Sequence, residues 1–384
     1  MRKTSAFFPA AAACLALGIG GVLLNAGSSR ASTTTPGEFA ANWYASAPYY
    51  DVQDPTPPDF TALLAATGEK VVDLASVQGI RKQHQCDPSW DGVHILQGPG
   101  SAPPPALGAA LNQIAAAGGD LALSFGSTGD TSLGAECGTP AATAAADLDA
   151  IEYVHASAVD LDLSAAELKD PTAVVNDIDA AGILQREYPD LFFTVTLPGG
   201  PTGLSSDGTA ALADIPQGGL VPGNVSIRTG GAGFAGPAAQ ITALQDLNTQ
   251  LEADFPWDRA VTYAHEGLVA TAGREDGGSL TPAGFATVEA FAKAQGMNRL
   301  TLWSVDRDRP CTAADPGHGR TGDCSGVPQT AYGFTQVAAD FAATTPPVPM
   351  PTSSGSATPH PTQCETPHPP PGSGSGSPTP GTEG

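Results

Sequence analysis

Basic residues are scarce in this chain. Its 384 residues include 16 Lys and Arg against 39 Asp and Glu, a formal charge of −23. A surface of that sign repels phosphate backbones and anionic lipid, which argues against nucleic acid as a partner. Histidine is sparse as well, with seven residues. His94, His155 and His265 are scattered without metal-ligand spacing, so no metal site and no cofactor is implied. There is no internal repeat, and no glycine-rich phosphate loop follows the first predicted strand. One extended apolar, Ala-rich run stands out, from about Phe7 to Leu24. It follows Met1-Arg2-Lys3 and leads into small residues up to Ala31, the pattern of a secretory signal peptide over residues 1–31. Pro9 and several Gly and Ala argue against a membrane anchor. Removal deletes three cations and no acid, moving the charge to −26. The expected location is extracellular, without membrane association after the signal is removed.

Residues 346–384 are nearly all Pro, Ser, Gly, Thr and His. They offer little apolar surface to bury, so this tail is expected to be disordered. Residues 32–345 are expected to form one large domain. Cys14 falls in the signal and Cys364 in the tail, between His360 and His368. A free thiol or an intermolecular bridge suits Cys364 better than a metal. The four remaining cysteines of an exported chain point to two disulfides. Proximity in sequence favours Cys86–Cys137 and Cys311–Cys324.

Short runs rich in Val, Leu, Ile and Phe read as buried parallel strands. They are Asn42–Ala47, Lys70–Val77, Leu121–Gly126, Ser157–Leu163, Leu191–Leu197, Asn224–Thr229, Arg259–Ala264 and Arg299–Val305. Ala-rich amphipathic stretches lie between them: Pro105–Ala117, Pro140–Tyr153, Pro171–Tyr188, Pro237–Ala253, Thr281–Gln295 and Ala331–Ala343. Several open on Thr or Pro, as helices do. Eight strands alternating with helices predict an α/β fold, a (β/α)8 TIM barrel. A doubly wound open sheet ranks below it. The functional end of such a barrel is the C-terminal end of its strands. Those ends carry Asp160, Asp162, Ser164, Pro198, Arg228, His265, Glu266, Trp303, Asp306 and Asp308.

The run Val159-Asp160-Leu161-Asp162-Leu163 resembles the Asp-x-Asp-x-Glu signature on the fourth strand of glycoside hydrolase family 18 chitinases. Ser124-Phe125-Gly126 resembles the end of that family's third strand, and Thr196-Leu197-Pro198 with Pro201-Thr202-Gly203-Leu204 the end of its fifth. Leu302-Trp303-Ser304-Val305-Asp306-Arg307-Asp308 resembles the eighth-strand segment with its subsite tryptophan, and Cys324-Ser325-Gly326-Val327 also matches. The resemblance covers roughly Ala40 to Ala343. It implies a secreted, chitinase-like barrel that handles glycans containing N-acetylglucosamine.

Two departures bear on activity. The family's acid lies two residues after the second aspartate, and here that position is Ser164. Strand alternation sends Asp160, Asp162 and Ser164 to one side. In the substrate-assisted mechanism that the resemblance implies, the sugar's acetamido oxygen attacks while the glutamate protonates the leaving oxygen. The residue matching Asp162 orients the acetamido N–H. A serine hydroxyl is too weak an acid for this near neutral pH, and general acid catalysis contributes roughly 100- to 10,000-fold. The second departure is at the sixth strand, where the family's Asp and Tyr are matched by Gly231 and Ala232. Loss of chitinase chemistry is the reading that follows.

Asp160 and Asp162 read equally as a relict catalytic pair or as hydrogen-bonded supports of the barrel mouth. Trp303 reads as a pocket floor that stacks on sugar. Tyr49 is a weaker ligand candidate, with Trp43 and Tyr50, while Trp90 and Trp257 read as packing or surface. Glu266, beside His265, and Glu167 are the possible substitute acids. Arg228 either pairs with Asp160 or Asp162 or binds an anionic ligand. Asp306 to Arg309 reads as a surface ion-pair cluster, and the glycosylation triplet Asn224-Val225-Ser226 is discounted because it lies in a strand. Three functions remain open: a non-catalytic glycan-binding protein, a glycosidase with a relocated acid, and a structural or protein-binding barrel.

Overall fold

The computed structural model describes residues 41–347, apart from 55, 81–84, 91, 93, 97–103, 105, 127–130 and 313–323. The expected signal segment, Cys14, Cys364 with its flanking histidines, and the tail from residue 348 onward lie outside the described residues.

Eight parallel strands close into a barrel: β1 (Tyr49–Asp51), β2 (Val71–Ile80), β3 (Asp120–Gly126), β4 (Ala158–Asp162), β5 (Phe192–Gly200), β6 (Asn224–Thr229), β7 (Glu266–Thr271) and β8 (Arg299–Trp303). Each pairs with the next in sequence. Tyr49 closes the ring, pairing with Trp303 of β8 and Asp73 of β2. Every strand is followed by helix: Phe60–Thr67, Leu107–Ala116, Pro140–Val154, Pro171–Glu187, Ser206–Gln217, Pro237–Asp254, Pro282–Gln295 and Gly333–Thr344 return the chain to the bottom of the barrel. The expected (β/α)8 architecture is the one observed.

The strand sequences explain the layers. Phe193, Val195 and Leu197 of β5 join the apolar core beneath the helices, with Leu161, Ile227, Leu268 and Leu302 from neighbouring strands. Thr194 and Thr196, at the alternate positions, turn inward and donate to Asp160. Capping residues start the helices. Thr139, Asp170, Ser205 and Thr281 each accept a backbone N–H of the first turn.

Two predicted strands are displaced. Asn42–Ala47 holds a 3-10 turn at Trp43–Ala45, and β1 begins only after Pro48. Arg259–Ala264 is a helix, because Asp258 caps it by accepting from the N–H groups of Ala260 and Val261. That cap overrides the β propensity of Val261, Thr262 and Tyr263. The seventh strand is Glu266–Thr271 instead, which moves Glu266 to the opposite end of the barrel from the one expected. The helices Phe60–Thr67 and Ser206–Gln217 were not expected; Pro216 inside the second hides its periodicity.

Both expected disulfides form. Cys86–Cys137 ties the antiparallel ribbon beside β2 to the short helix Leu133–Cys137. Cys311 and Cys324, both past the end of β8, form the second. No helix among the described residues is long and apolar enough to cross a membrane.

Candidate functional site

Below the mouth, the barrel interior is polar and fully enclosed. Asp160 is 1% exposed. Its carboxylate accepts from the hydroxyls of Tyr49, Thr194 (2.6 Å) and Thr196 (2.9 Å). Arg299 reaches up from the start of β8 to donate to the Tyr49 hydroxyl at 3.3 Å and to face Asp73 at 3.5 Å. Burial, reinforced by Asp160, pushes Asp73 well above the usual carboxylate range, and Arg299 opposes that shift. Asp160 thus supports the barrel, one layer under any surface a ligand could touch. Tyr49 is fully buried in the same network, which corrects its assignment as a ligand contact: its ring lies beneath Trp303, with centroids 5.9 Å apart.

The upper layer holds the candidate site. Asp162, fully buried, forms an ion pair with the guanidinium of Arg228, whose side chain is 22% exposed. Of the alternatives for Arg228, pairing with Asp162 is the arrangement observed. Burial pulls the Arg228 pKa down, while Asp160, Glu275 and Asp73 pull it up. Trp303 is half-buried at the end of β8 and packs on Tyr49, Ala75 and Val269. It forms part of the layer that closes the barrel beneath the mouth.

Ser164 does not stand free. Its Oγ accepts from the N–H of Glu167 (3.2 Å), and the Glu167 carboxylate accepts from the N–H of Ser164 (2.7 Å). This reciprocal pair, bonded in the manner of a capping box, closes the turn that leads into the 3-10 helix Glu167–Lys169. Glu167 is 6% exposed, and its charge helps raise Asp177 on the neighbouring helix to about 7, where burial is the main cause. The other Glu167 carboxylate oxygen, Oε1, lies beside Gly126 at the end of β3.

Glu266 opens β7 and so lies at the bottom of the barrel, 0% exposed. Burial raises it to about 8, and the Asn248 amide donates to it at 2.9 Å. His265 stacks on Trp257 at 4.4 Å, and Trp257 in turn on Phe255 at 4.1 Å. Neither Glu266 nor His265 can reach a ligand at the mouth. Trp43 packs against a bottom cluster with Tyr44 and Phe192, Tyr50 is buried edge-on against Phe60, and Trp90 is core.

The run from Asp306 onward is also not a surface ion-pair cluster, since Asp306, Arg307 and Asp308 are 5%, 2% and 0% exposed. Asp306 accepts from the Asp51 N–H at 2.9 Å. Asp308 accepts from the N–H groups of Phe334 and Thr335, taking up orphan donors at the start of the last helix. Arg307 donates to the carbonyls of Ala272 and Arg274. Asn224 is buried and donates to Asn298 at 2.5 Å, consistent with discounting it as a glycosylation site. Among the described residues no group of His, Cys, Asp and Glu is arranged to hold a metal ion.

Sequence reasoning missed the hairpin after β7, Arg274–Glu275 with Gly278–Ser279. Its turn is Asp276-Gly277, both with positive φ, a signal that the dipeptide carries openly. Glu275 accepts from the Thr271 hydroxyl at 2.9 Å.

No protein-family profile matches the chain. It is 24% identical over 317 residues to a probable bifunctional chitinase/lysozyme of Escherichia coli (strain K12), covering 77% of this chain and 34% of that protein. The chain thus spans about a third of the length of this curated relative. Among solved structures, the catalytic domain of a hyperthermophilic chitinase from Pyrococcus furiosus superposes with a TM-score of 0.65 at 22% identity, over 77% of this chain and 93% of that one. Catalytic-site mutants of active domain 2 of the Pyrococcus furiosus chitinase, complexed with chito-oligosaccharides, give 0.64 at 21% identity with the same coverage. A family GH18 chitinase from Chromobacterium violaceum gives 0.50 at 15%, over 78% and 83%. The fold is therefore the TIM barrel of chitinases of this kind.

Proposed function

We propose that the chain is a secreted, chitinase-like protein of glycoside hydrolase family 18 that has lost hydrolytic chemistry and holds a glycan containing N-acetylglucosamine at its barrel mouth. One observation carries the loss. The oxygen at the acid's position belongs to Ser164 and is engaged in closing a turn, while the neighbouring Asp162 is neutralised by Arg228. A hydroxyl cannot release a proton to a leaving oxygen at neutral pH, and an aspartate tied to a guanidinium is a poor acceptor for an acetamido N–H. The half-buried face of Trp303 supports retained binding, since aromatic contact with sugar C–H bonds needs no acid. The two disulfides suit an oxidising, extracellular setting.

A relocated acid draws no support from the two candidates first named, because Glu266 lies at the far end of the barrel and Glu167 holds the Ser164 N–H. A structural or protein-binding barrel is the second reading. Arg228 held across Asp162 is the observation in its favour.

The test is hydrolysis of a fluorogenic chitobioside by the wild type, Ser164→Glu, and Ser164→Glu combined with Arg228→Met. The wild type stays at background. If the single variant stays silent and the double variant shows slow turnover, acid and ion pair are both implicated. Wild-type turnover above background would overturn the reading.

A further inference from the structure

We infer that Glu275 is a ligand-recognition residue of the barrel mouth, presenting its carboxylate one strand from Trp303 to the hydroxyl and amide N–H donors of an amino-sugar ring. The inference rests on the glycan-binding reading above and names the polar contact that would orient the sugar over the indole.

The placement follows from register. Thr271 pairs with Trp303 across β7 and β8, and Val269 pairs with Arg228 across β7 and β6. Arg228 and Trp303 belong to the inward set at the mouth, and Thr271 lies two residues past inward-facing Val269. The Thr271 hydroxyl donates to Glu275, so the carboxylate overhangs this layer between Trp303 and Arg228. Gly230 is the next inward position on the β6 side. A Cβ there would meet Glu275 Oε2 at 2.2 Å and Thr271 Oγ1 at 2.4 Å. The hairpin thus delivers a carboxylate into space that a side chain from β6 would otherwise fill.

The hairpin is clamped on both sides. Arg307, itself buried, donates to the carbonyls of Ala272 and Arg274, and the Arg274 N–H donates to Ser325 at 2.7 Å. On the other side, the Gly236 N–H donates to Ser279 at 2.7 Å, and Ser279 donates to Phe234 at 3.2 Å. Three glycines permit these approaches. A Cβ on Gly273 would lie 1.9 Å from the Ser325 oxygen, one on Gly278 2.2 Å from the Gly231 oxygen, and Gly230 faces Glu275 itself. A carboxylate held this firmly loses little freedom when a ligand arrives, which is what a recognition group requires.

Its charge acts on Arg228 and Arg307, but its hydrogen-bonding capacity is only partly used. Asp160 accepts from three hydroxyls, Asp162 is paired with Arg228, Glu167 holds the Ser164 N–H, and Asp306 and Asp308 hold backbone N–H groups. Glu275 is half-buried, and a carboxylate offers about four acceptor positions, of which Thr271 fills one.

The experiment is a calorimetric titration of the full chain with chitotetraose, comparing the wild type with Glu275→Gln, Glu275→Ala and Thr271→Val. Glu275→Ala weakens binding at least tenfold. Glu275→Gln, isosteric and still able to bond, falls between it and the wild type, and Thr271→Val weakens binding two- to fivefold by freeing the carboxylate. If the wild type binds and Glu275→Ala binds within twofold of it, this inference is overturned and the glycan reading stands. If the wild type does not bind, the glycan reading falls and takes this inference with it.

Discussion

Glu266 and Glu69 at the bottom of the barrel meet different partners from Asp162 at its top. At the bottom, Glu266 and Glu69 are almost wholly enclosed and meet neutral groups: an amide donates to Glu266, and Ser46 with two backbone N–H groups donates to Glu69. Burial dominates there and raises them to about 8 and about 7. At the top, Asp162 is just as enclosed but faces a guanidinium, and Asp160 has three hydroxyl donors. Burial raises both bottom acids, as it does Asp306 and Asp308 past the end of β8, whereas Asp162 meets a cation directly. The mouth is thus electrostatically organised around the pair of Asp162 and Arg228.

Breaking the compensation at the top has the largest expected effect. Arg228→Met leaves Asp162 buried without its cation. Losing one partner of such a pair costs about 3 kcal/mol, at the lower end of the usual range because the guanidinium keeps some water. Chemical denaturation of Arg228→Met against the double variant Asp162→Asn/Arg228→Met checks this, and the double variant recovers most of the loss.

The bottom gives a smaller effect with a pH signature. Glu266 titrates at about 8 in the folded chain against 4.5 in its absence. Between these values the folded state binds the extra proton, so stability is full below about pH 4.5 and falls as pH rises toward 8. Glu266→Gln removes that decline and stabilises the protein at pH 8 by roughly 1–3 kcal/mol. Melting curves from pH 5 to 9 should show the wild type losing stability and the variant losing less. Parallel curves would mean that the bottom acids ionise freely, and the contrast with the mouth would disappear.

The smallest effect concerns Ser164. Ser164→Ala removes one half of the reciprocal pair with Glu167, costing about 1 kcal/mol, and leaves binding of chitotetraose unchanged. A strong effect on binding would mean that the hydroxyl belongs to the ligand site.

The fold was largely legible, and the reason is local. Buried runs such as Asn224–Thr229 and Leu121–Gly126 carry their own β signal, and Thr139, Asp170 and Thr281 announce the helices after them. The seventh strand was misread because Val261, Thr262 and Tyr263 look like strand while Glu266-Gly267 does not, and a single cap at Asp258 decides the matter. That misreading carried Glu266 to the wrong end of the barrel. Asp160, Asp162, Ser164, Arg228 and Trp303 were legible as strand-end residues. Tyr49 was misjudged because alternation alone does not tell a lower inward layer from an upper one. Glu275 was missed because its position depends on glycines at 230, 273 and 278 that let the hairpin after β7 pack closely on the segments following β6 and β8.

The central claim is a mouth that binds its glycan and leaves it whole. Chitotetraose held at saturating concentration with the full chain, and examined by mass spectrometry after prolonged incubation, tests both halves in one sample when the bound fraction is measured alongside. The account predicts substantial occupancy with the tetrasaccharide recovered intact. Occupancy accompanied by steady release of shorter oligomers would contradict it.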